Sequence, residues 1–354
     1  MLLIRAPVRI SLAGGGTDLP SYYERFGGMV VSAAIDKYFY VFLSPSRDDG
    51  VHISSSDFSA FSHWSASDDL VEDGQLHLPR AVLHEFGIDG GFSIFLASEI
   101  PPGTGLGSSS TVAVALTKTI STFLGQRLSP CEIVEHAARI EIEKLGSPIG
   151  KQDQYASSFG GLNAFTFERE AVQVERLQLR PEVRQELESN LLLFYTGASR
   201  SANEILMEQK QSTAAGRADV VDSLHAIKTF AQEARDALEA GELRELGMIL
   251  HRSWEAKRRL ASGVTNKRID ALYQCARENG ALGGKITGAG GGGFLLLYCE
   301  PSCQPQVRAA MEAHDLYSMN FRFDDGGAKV LLNSTTRTAP AFGSNGNGFY
   351  HEPS

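Results

Sequence analysis

The stretch Pro101-Pro102-Gly103-Thr104-Gly105-Leu106-Gly107-Ser108-Ser109-Ser110-Thr111 constrains this chain more than any other. Its alternating glycines free the backbone to bend and to approach a ligand closely. The apolar run before it, Phe92 to Ala97, reads as a strand. Val112, Ala113, Val114, Ala115, Leu116 and Ile120 after it read as a helix. A glycine turn feeding a helix N-terminus aims backbone N–H groups and the positive end of the helix dipole at one spot, which suits phosphate. The competing reading is a flexible loop with an ordinary serine cap. The stretch is not a Walker A loop, because no lysine follows Gly107, and the dinucleotide fingerprint has a different glycine spacing. Hydroxyls stand where that lysine would be, and one of them is a candidate Mg²⁺ ligand. The candidate nucleotide-holding residues are therefore Pro102, Gly103, Thr104, Gly105, Leu106, Gly107, Ser108, Ser109 and Ser110.

Glycines cluster twice more, at 14–16 and at 288–293. Such clusters are costly in chain entropy, so three of them beside predicted strand ends point to close backbone approach to ligands. A nucleotide plus a second substrate fits that number. Gly14, Gly15, Gly16, Thr17 and Asp18, with Gly288, Ala289 and Gly290, are the candidate substrate-binding residues. Asp153 is the candidate for chemistry. It follows a helix break, flanked by Lys151 and two glutamines. Phosphoryl transfer needs a group that orients the attacking hydroxyl and accepts its proton, and a nearby cation favours the charged carboxylate. The competing reading of Asp153 is a turn or cap residue. Glu141 and Glu143 lie on the preceding predicted helix and point to different faces, so one can reach a metal while the other is solvated.

At 354 residues the chain is long enough for two domains of roughly 150 residues each. A net charge of −9 argues against nucleic acid as the main partner, since phosphate backbones need basic faces. A small phosphorylated ligand is not excluded, because local lysines and loop amides outweigh net charge at short range. No apolar run approaches the ~20 residues of a membrane span, so no membrane partner is expected. Cys131, Cys275, Cys299 and Cys303 are scattered and have no histidine cluster beside them, which suggests reduced thiols and a cytoplasmic setting.

The alternating apolar residues of 2–13 predict a strand, and Pro20–Phe26 a short helix. Met29 to Leu43 predicts a hairpin, its only charged pair being Asp36-Lys37. Helices are expected over 78–86, over 130–145 with Ser129 as N-cap, along the stripes Leu224 to Leu238 and Leu243 to Trp254, and over 269–277. Strands are expected at 162–167, 191–195 and 294–299. Residues 44–75 are polar and are candidates to fold over a pocket; 336–354 read as a flexible tail.

These three glycine clusters resemble the three motifs of the GHMP kinases, the family of galactokinase, homoserine kinase, mevalonate kinase and phosphomevalonate kinase. Arg5 to Ile10 with Gly16-Thr17-Asp18 resembles the first motif, Pro101 to Thr111 the second and Lys285 to Gly293 the third. Within the family, Gly14 to Asp18, Lys151 to Tyr155 and Lys285 to Gly290 are most similar to the D-glycero-D-manno-heptose 7-phosphate kinases, with L-fucose kinases also similar. The resemblance implies an α+β, two-domain fold: a first domain like ribosomal protein S5 domain 2 over 1–175, a ferredoxin-like second domain over 176–335, and ATP between them. It implies phosphoryl transfer from ATP, with Mg²⁺, to the anomeric hydroxyl of a sugar or sugar phosphate, foremost a heptose 7-phosphate. L-fucose, another free sugar or a mevalonate-type alcohol is the alternative acceptor, and a non-catalytic regulator sensing ATP or sugar is the alternative role. A monomer or homodimer is expected. The galactokinase pattern aligns without gaps on Glu141, Glu143, Asp153 and Gln154. That makes Asp153 the catalytic base and Glu141 the Mg²⁺ ligand beside Ser109, with Glu143 open through the mevalonate kinase spacing. Arg9 matches the arginine that assists the aspartate, and Lys151 is a further candidate for the chemistry. Gly14-Gly15-Gly16 departs from the Gly-Glu-His of galactokinase, which argues against a galactose-type pocket.

Overall fold

A computed structural model describes residues 1–46, 48, 50–55, 60–64, 76–88, 90–197 and 202–334. The expected tail over 336–354 and much of the polar segment 44–75 lie outside the described residues. The strands are β1 (Leu2–Ala13), β2 (Gly28–Pro45), β3 (Val51–Ser55), β4 (Ala60–Trp64), β5 (Phe92–Ser98), β6 (Leu162–Phe167), β7 (Val172–Arg176), β8 (Leu191–Tyr195), β9 (Gly283–Ile286), β10 (Phe294–Tyr298) and β11 (Lys329–Asn333). The helices are α1 (Pro20–Phe26), α2 (His77–Glu85), α3 (Ser108–Phe123), α4 (Pro130–Ala138), α5 (Gln152–Phe159), α6 (Pro181–Asn190), α7 (Ala202–Ala214), α8 (Ala218–Ala240), α9 (Leu243–Lys257), α10 (Lys267–Glu278) and α11 (Gln304–Glu312).

Two sheets organise them into an α+β architecture. The larger has the order β11-β1-β2-β5-β3-β4, with β6 beside β2 and β7 beside β6; the smaller runs β8-β10-β9. Only β3 and β5 pair in parallel among these strands. One apolar core runs between the sheets, taking Val8, Ile10 and Leu12 from β1, Leu193 and Leu296 from the smaller sheet, and Ala231, Leu238 and Leu246 from α8 and α9. Strand β1 therefore lies at the junction of the two sheets, which puts its polar residues Arg9 and Ser11 in the interior. The last strand, β11, returns to pair with β1, Leu3 opposite Leu332. The expected second segment, 176–335, thus ends on the first sheet, where β11 covers an edge that β1 would otherwise leave open.

The expected hairpin over Met29–Leu43 is instead a single strand of 18 residues, β2. It follows β1 from Leu2↔Leu43 to Ala13↔Val31, and the register jumps between Pro7↔Tyr38 and Arg9↔Ala34. Ile35, Asp36 and Lys37 form a bulge where Pro7 offers no N–H to the ladder. Asp36 is followed by Lys37 and not by the glycine that a two-residue hairpin turn favours, so the chain continues instead of reversing. The bulge divides the far edge of β2 between two partners, β6 for 28–33 and β5 for 39–45.

The expected helix over 130–145 has a change of pitch. Ser129 and Glu132 cap the start of α4 reciprocally, with Pro130 in its first turn. From Arg139 to Lys144 the turns widen to a π-helix, with Leu145 N–H donating to the Ile140 carbonyl. The polar run 151–155, for which the sequence shows no apolar stripe, opens the eight-residue helix α5.

Candidate active site

The phosphate-type loop is built as a cradle. Gly103, Gly105 and Gly107 have φ of +74°, +79° and +78°, values that favour glycine. Gly107 is the N-cap of α3 and no side chain caps that end. The N–H groups of Ser108, Ser109 and Ser110 have no intrahelical acceptors and are open to an anion. Not every residue of the expected set faces that way. Leu106 is buried in the core between the sheets, and the Thr104 hydroxyl turns back to the Pro101 carbonyl at 3.0 Å. These two contribute backbone and not side chain. Ser110 is also buried, facing Glu141.

Asp153 sits in the first turn of α5, directly against this loop. A Cβ on Gly107 would stand 3.0 Å from Asp153 Oδ2, so the carboxylate and the loop backbone are in contact. Arg9 holds the other oxygen: Nε donates to Oδ1 at 2.8 Å, and Nη2 lies 2.7 Å from the same atom. Its third nitrogen, Nη1, donates to the Gly105 carbonyl at 2.7 Å. One buried guanidinium thus fixes the loop and the aspartate to each other, the planar-fork use for which arginine is suited. The cation beside Asp153 is Arg9 and not Lys151, whose ammonium lies 3.6 Å from Glu135 on α4.

The periodicity separates the two glutamates. Glu141 continues the buried side of α4, three and four residues past Ala138 and Ala137, and is 1% exposed; Glu143 is on the solvent side. The Glu141 carboxylate accepts from Ser109 Oγ at 2.8 Å and from Gln154 Nε2 at 2.6 Å. Burial pushes it up to about 7, against the hydrogen bonds from Ser109, Gln154 and Ser110, and the charge of Asp153 adds to the rise. The Oε1 of Gln154 is buried without a hydrogen-bond partner.

The first glycine cluster is folded onto its own neighbours. A Cβ on Gly14 would stand 2.0 Å from the Met29 carbonyl oxygen. The Thr17 hydroxyl is buried between the Gly14 and Met29 carbonyls, at 2.8 and 2.9 Å, and so pins the turn. Asp18 accepts from Gly16 N at 3.0 Å and from Gln152 N, at the start of α5, at 3.2 Å. Burial raises its pKa, and Asp153 raises it further. Gly15 and Gly16 remain backbone facing Gln152 and Gln209; Gln209 Nε2, from α7, donates to the Gly16 carbonyl at 3.2 Å.

The third cluster lies on the second. Gly288 has φ of +63°, and a Cβ on it would stand 2.6 Å from Gly105 Cα. Phe294 N donates to the Thr104 carbonyl at 3.2 Å. Gly288, Ala289 and Gly290 therefore press on the phosphate-type loop from the other sheet.

Two residues went unread in the sequence. Lys257 ends α9 on its buried stripe, three residues past Trp254, and donates to the Gly288 carbonyl. Burial lowers it to about 8, Arg9 adds to that, and Asp18 and Asp153 oppose it. Lys285 on β9 is 2% exposed and lies 3.5 Å from both Ser11 Oγ and the Leu12 carbonyl. Burial, with Lys257 and Arg9, lowers it well below the usual lysine range. The signal for Lys257 was a lysine continuing an apolar stripe. Lys285 lay inside a motif read for its glycines.

Comparison with known proteins identifies relatives of the chain. Residues 77–161 match the GHMP kinases N terminal domain and residues 234–315 the GHMP kinases C terminal domain. The chain is 32% identical to the D-glycero-alpha-D-manno-heptose 7-phosphate kinase of Campylobacter jejuni, over 92% of this chain and 97% of that protein. It is 29% identical to an L-fucokinase/L-fucose-1-P guanylyltransferase of Bacteroides fragilis, over 86% of this chain but 35% of that longer protein. A crystal structure of a D-glycero-D-manno-heptose 1-phosphate kinase from Bacteroides thetaiotaomicron superposes with a TM-score of 0.78 at 28% identity, over 94% of this chain and 99% of that one.

Proposed function

This chain belongs to the GHMP kinase family, and we propose that it transfers the γ-phosphoryl group of ATP to the anomeric hydroxyl of D-glycero-D-manno-heptose 7-phosphate, giving the 1,7-bisphosphate. ATP is the donor throughout this family. The observation that carries the reading is the single guanidinium of Arg9 shared between Asp153 and the Gly105 carbonyl. It supports a proton acceptor held at the lip of a phosphate cradle.

In the proposed reaction the open amides of Ser108 to Ser110 and the α3 dipole hold the triphosphate. The acceptor sugar lies against the turn formed by Gly14 to Gly16 and Asp18, which packs on Met29, Ser11 and Gln209 and is joined to the start of α5 through Gln152 N. Asp153 accepts the proton of the anomeric hydroxyl as its oxygen bonds to the γ-phosphorus; the bond to the β–γ bridging oxygen breaks, and ADP leaves. Arg9 keeps Asp153 aimed and adds positive charge near the transferred group.

The donor set fits Mg²⁺. Glu141 and Ser109 offer hard oxygens, and the carboxylate is buried with hydroxyl and amide donors around it but no cation within 4 Å among the described residues. Among the described residues no three His, Cys, Asp or Glu side chains are grouped to hold a metal, so the phosphate oxygens would complete the set. When bound, Mg²⁺ offsets charge on the phosphates.

The reading is tested by ADP release over phosphorylated and free sugars. Heptose 7-phosphate should give the highest kcat/KM. Asp153→Asn should lower kcat about a thousandfold or more while ATP still binds. Free L-fucose outrunning the heptose phosphate would move the acceptor to an unphosphorylated sugar. Full turnover in D153N would remove Asp153 from its role.

A further inference from the structure

Lys257 is a buried cation that the phosphoryl-transfer scheme leaves unused. Its Nζ donates to one neutral group, the Gly288 carbonyl, and no carboxylate lies within 4 Å of it among the described residues. Burying an ammonium on a carbonyl alone is costly, so the contact calls for a function. Its surroundings indicate one. Gly288 rests on Gly105 with backbone against backbone, the Cβ position being 2.6 Å from Gly105 Cα. Reciprocally, a Cβ on Gly105 would stand 2.6 Å from the Thr287 carbonyl oxygen. The Gly105 carbonyl in turn takes the Arg9 Nη1 that shares its guanidinium with Asp153. A continuous path therefore runs from the end of α9 through Gly288, Gly105 and Arg9 to the carboxylate. Every link is a hydrogen bond, an ion pair or a van der Waals contact between backbones without side chains.

We propose that Lys257 is a positioning residue. From the side of the smaller sheet it holds the 287–293 loop down on the phosphate loop, and so fixes the distance between the phosphates and Asp153. The inference rests on the kinase reading above for its catalytic readout, but the loop contact itself does not. The partner cation Lys285 lies on the neighbouring strand and reaches β1 at 3.5 Å, not Gly288, so it does not duplicate the link. The charged groups acting on Lys257 are Arg9 from β1, Asp153 from α5, Asp18 from the first glycine turn and Lys285 from β9.

The test compares Lys257→Met and Lys257→Arg with the wild-type chain by hydrogen exchange read peptide by peptide, by binding of a fluorescent ATP analogue, and by kcat. In K257M the exchange of peptides covering 101–110 and 285–294 should rise about tenfold or more, with α10, α11 and β5 unchanged. Analogue affinity should fall about tenfold and kcat about a hundredfold. K257R keeps a charged donor and should recover wild-type loop protection and most of kcat. Unchanged protection in both loops of K257M would overturn the proposal, as would exchange raised evenly through the molecule, which marks a core defect. If K257M does not fold, K257R decides: protected loops with near-wild-type kcat support the link, and protected loops with kcat lost overturn it. A wild-type chain that fails to bind the ATP analogue would count against the kinase reading and would leave the exchange comparison standing.

Discussion

Glu141→Gln should make this protein more stable and less active, and the gain should depend on pH in a calculable way. Burial raises the carboxyl from 4.5 to about 7. A folded pKa above the unfolded one means that the site's stabilisation is complete below pH 4.5, falls as pH rises, and is gone above about 7. At 1.36 kcal/mol for each tenfold change in acidity constant, the span amounts to roughly 3 kcal/mol. Glutamine does not titrate and escapes this loss. Its carbonyl can still accept from Ser109 Oγ. Its new amide donor would face the Gln154 Nε2 donor, but Gln154 has an unpartnered Oε1 to offer after a half-turn of its amide. The isostere therefore has little pH-independent cost. Urea unfolding of the free protein at pH 5, 6, 7 and 8 should show E141Q ahead by about 1 kcal/mol at pH 5 and by roughly 3 kcal/mol at pH 8. With nucleotide and Mg²⁺ present the order should reverse, because metal binding favours the deprotonated wild-type carboxylate. A difference between the two proteins that stays constant with pH would refute the reasoning.

Two further changes separate the loop from the scaffold. Gly107→Ala places a methyl 3.0 Å from Asp153 Oδ2 on a residue with φ of +78°; it should cost about 1–2 kcal/mol in urea unfolding and lower kcat about a hundredfold. An unchanged kcat would show that the contact does not set the position of the carboxylate. Ser129→Ala removes the reciprocal cap with Glu132 and should cost about 1 kcal/mol with kcat unaltered, since the cap lies at the far end of α4 from Glu141.

The sequence made legible what is written in short-range pattern. The loop glycines, the start of α3, the Ser129 cap and the core stripes of α8 and α9 all follow from composition and spacing. The hairpin expectation failed because a bulge opposite Pro7 absorbs the charged pair, a long-range pairing that no local window contains. Helix α5 was invisible because eight residues with buried polar side chains carry no apolar period. Arg9 came from resemblance alone, since an arginine on a strand discloses nothing of a partner 144 positions away. Lys257 was readable in principle, as a charge where the α9 stripe called for an apolar residue. Glu141 was readable in the same way, as the continuation of Ala137 and Ala138.

The contact of Gly288 with Gly105 has an evolutionary corollary. A junction made of bare main chain gives mutation nothing to adjust: a side chain on either glycine collides with the backbone of the facing loop. In the first glycine turn Gly14 also meets backbone, but Gly15 and Gly16 face the side chains of Ser11, Gln152 and Gln209, which have atoms that can move. Sequence change is thus better tolerated around the turn at 15–16 than at the backbone junction of the other two glycine clusters.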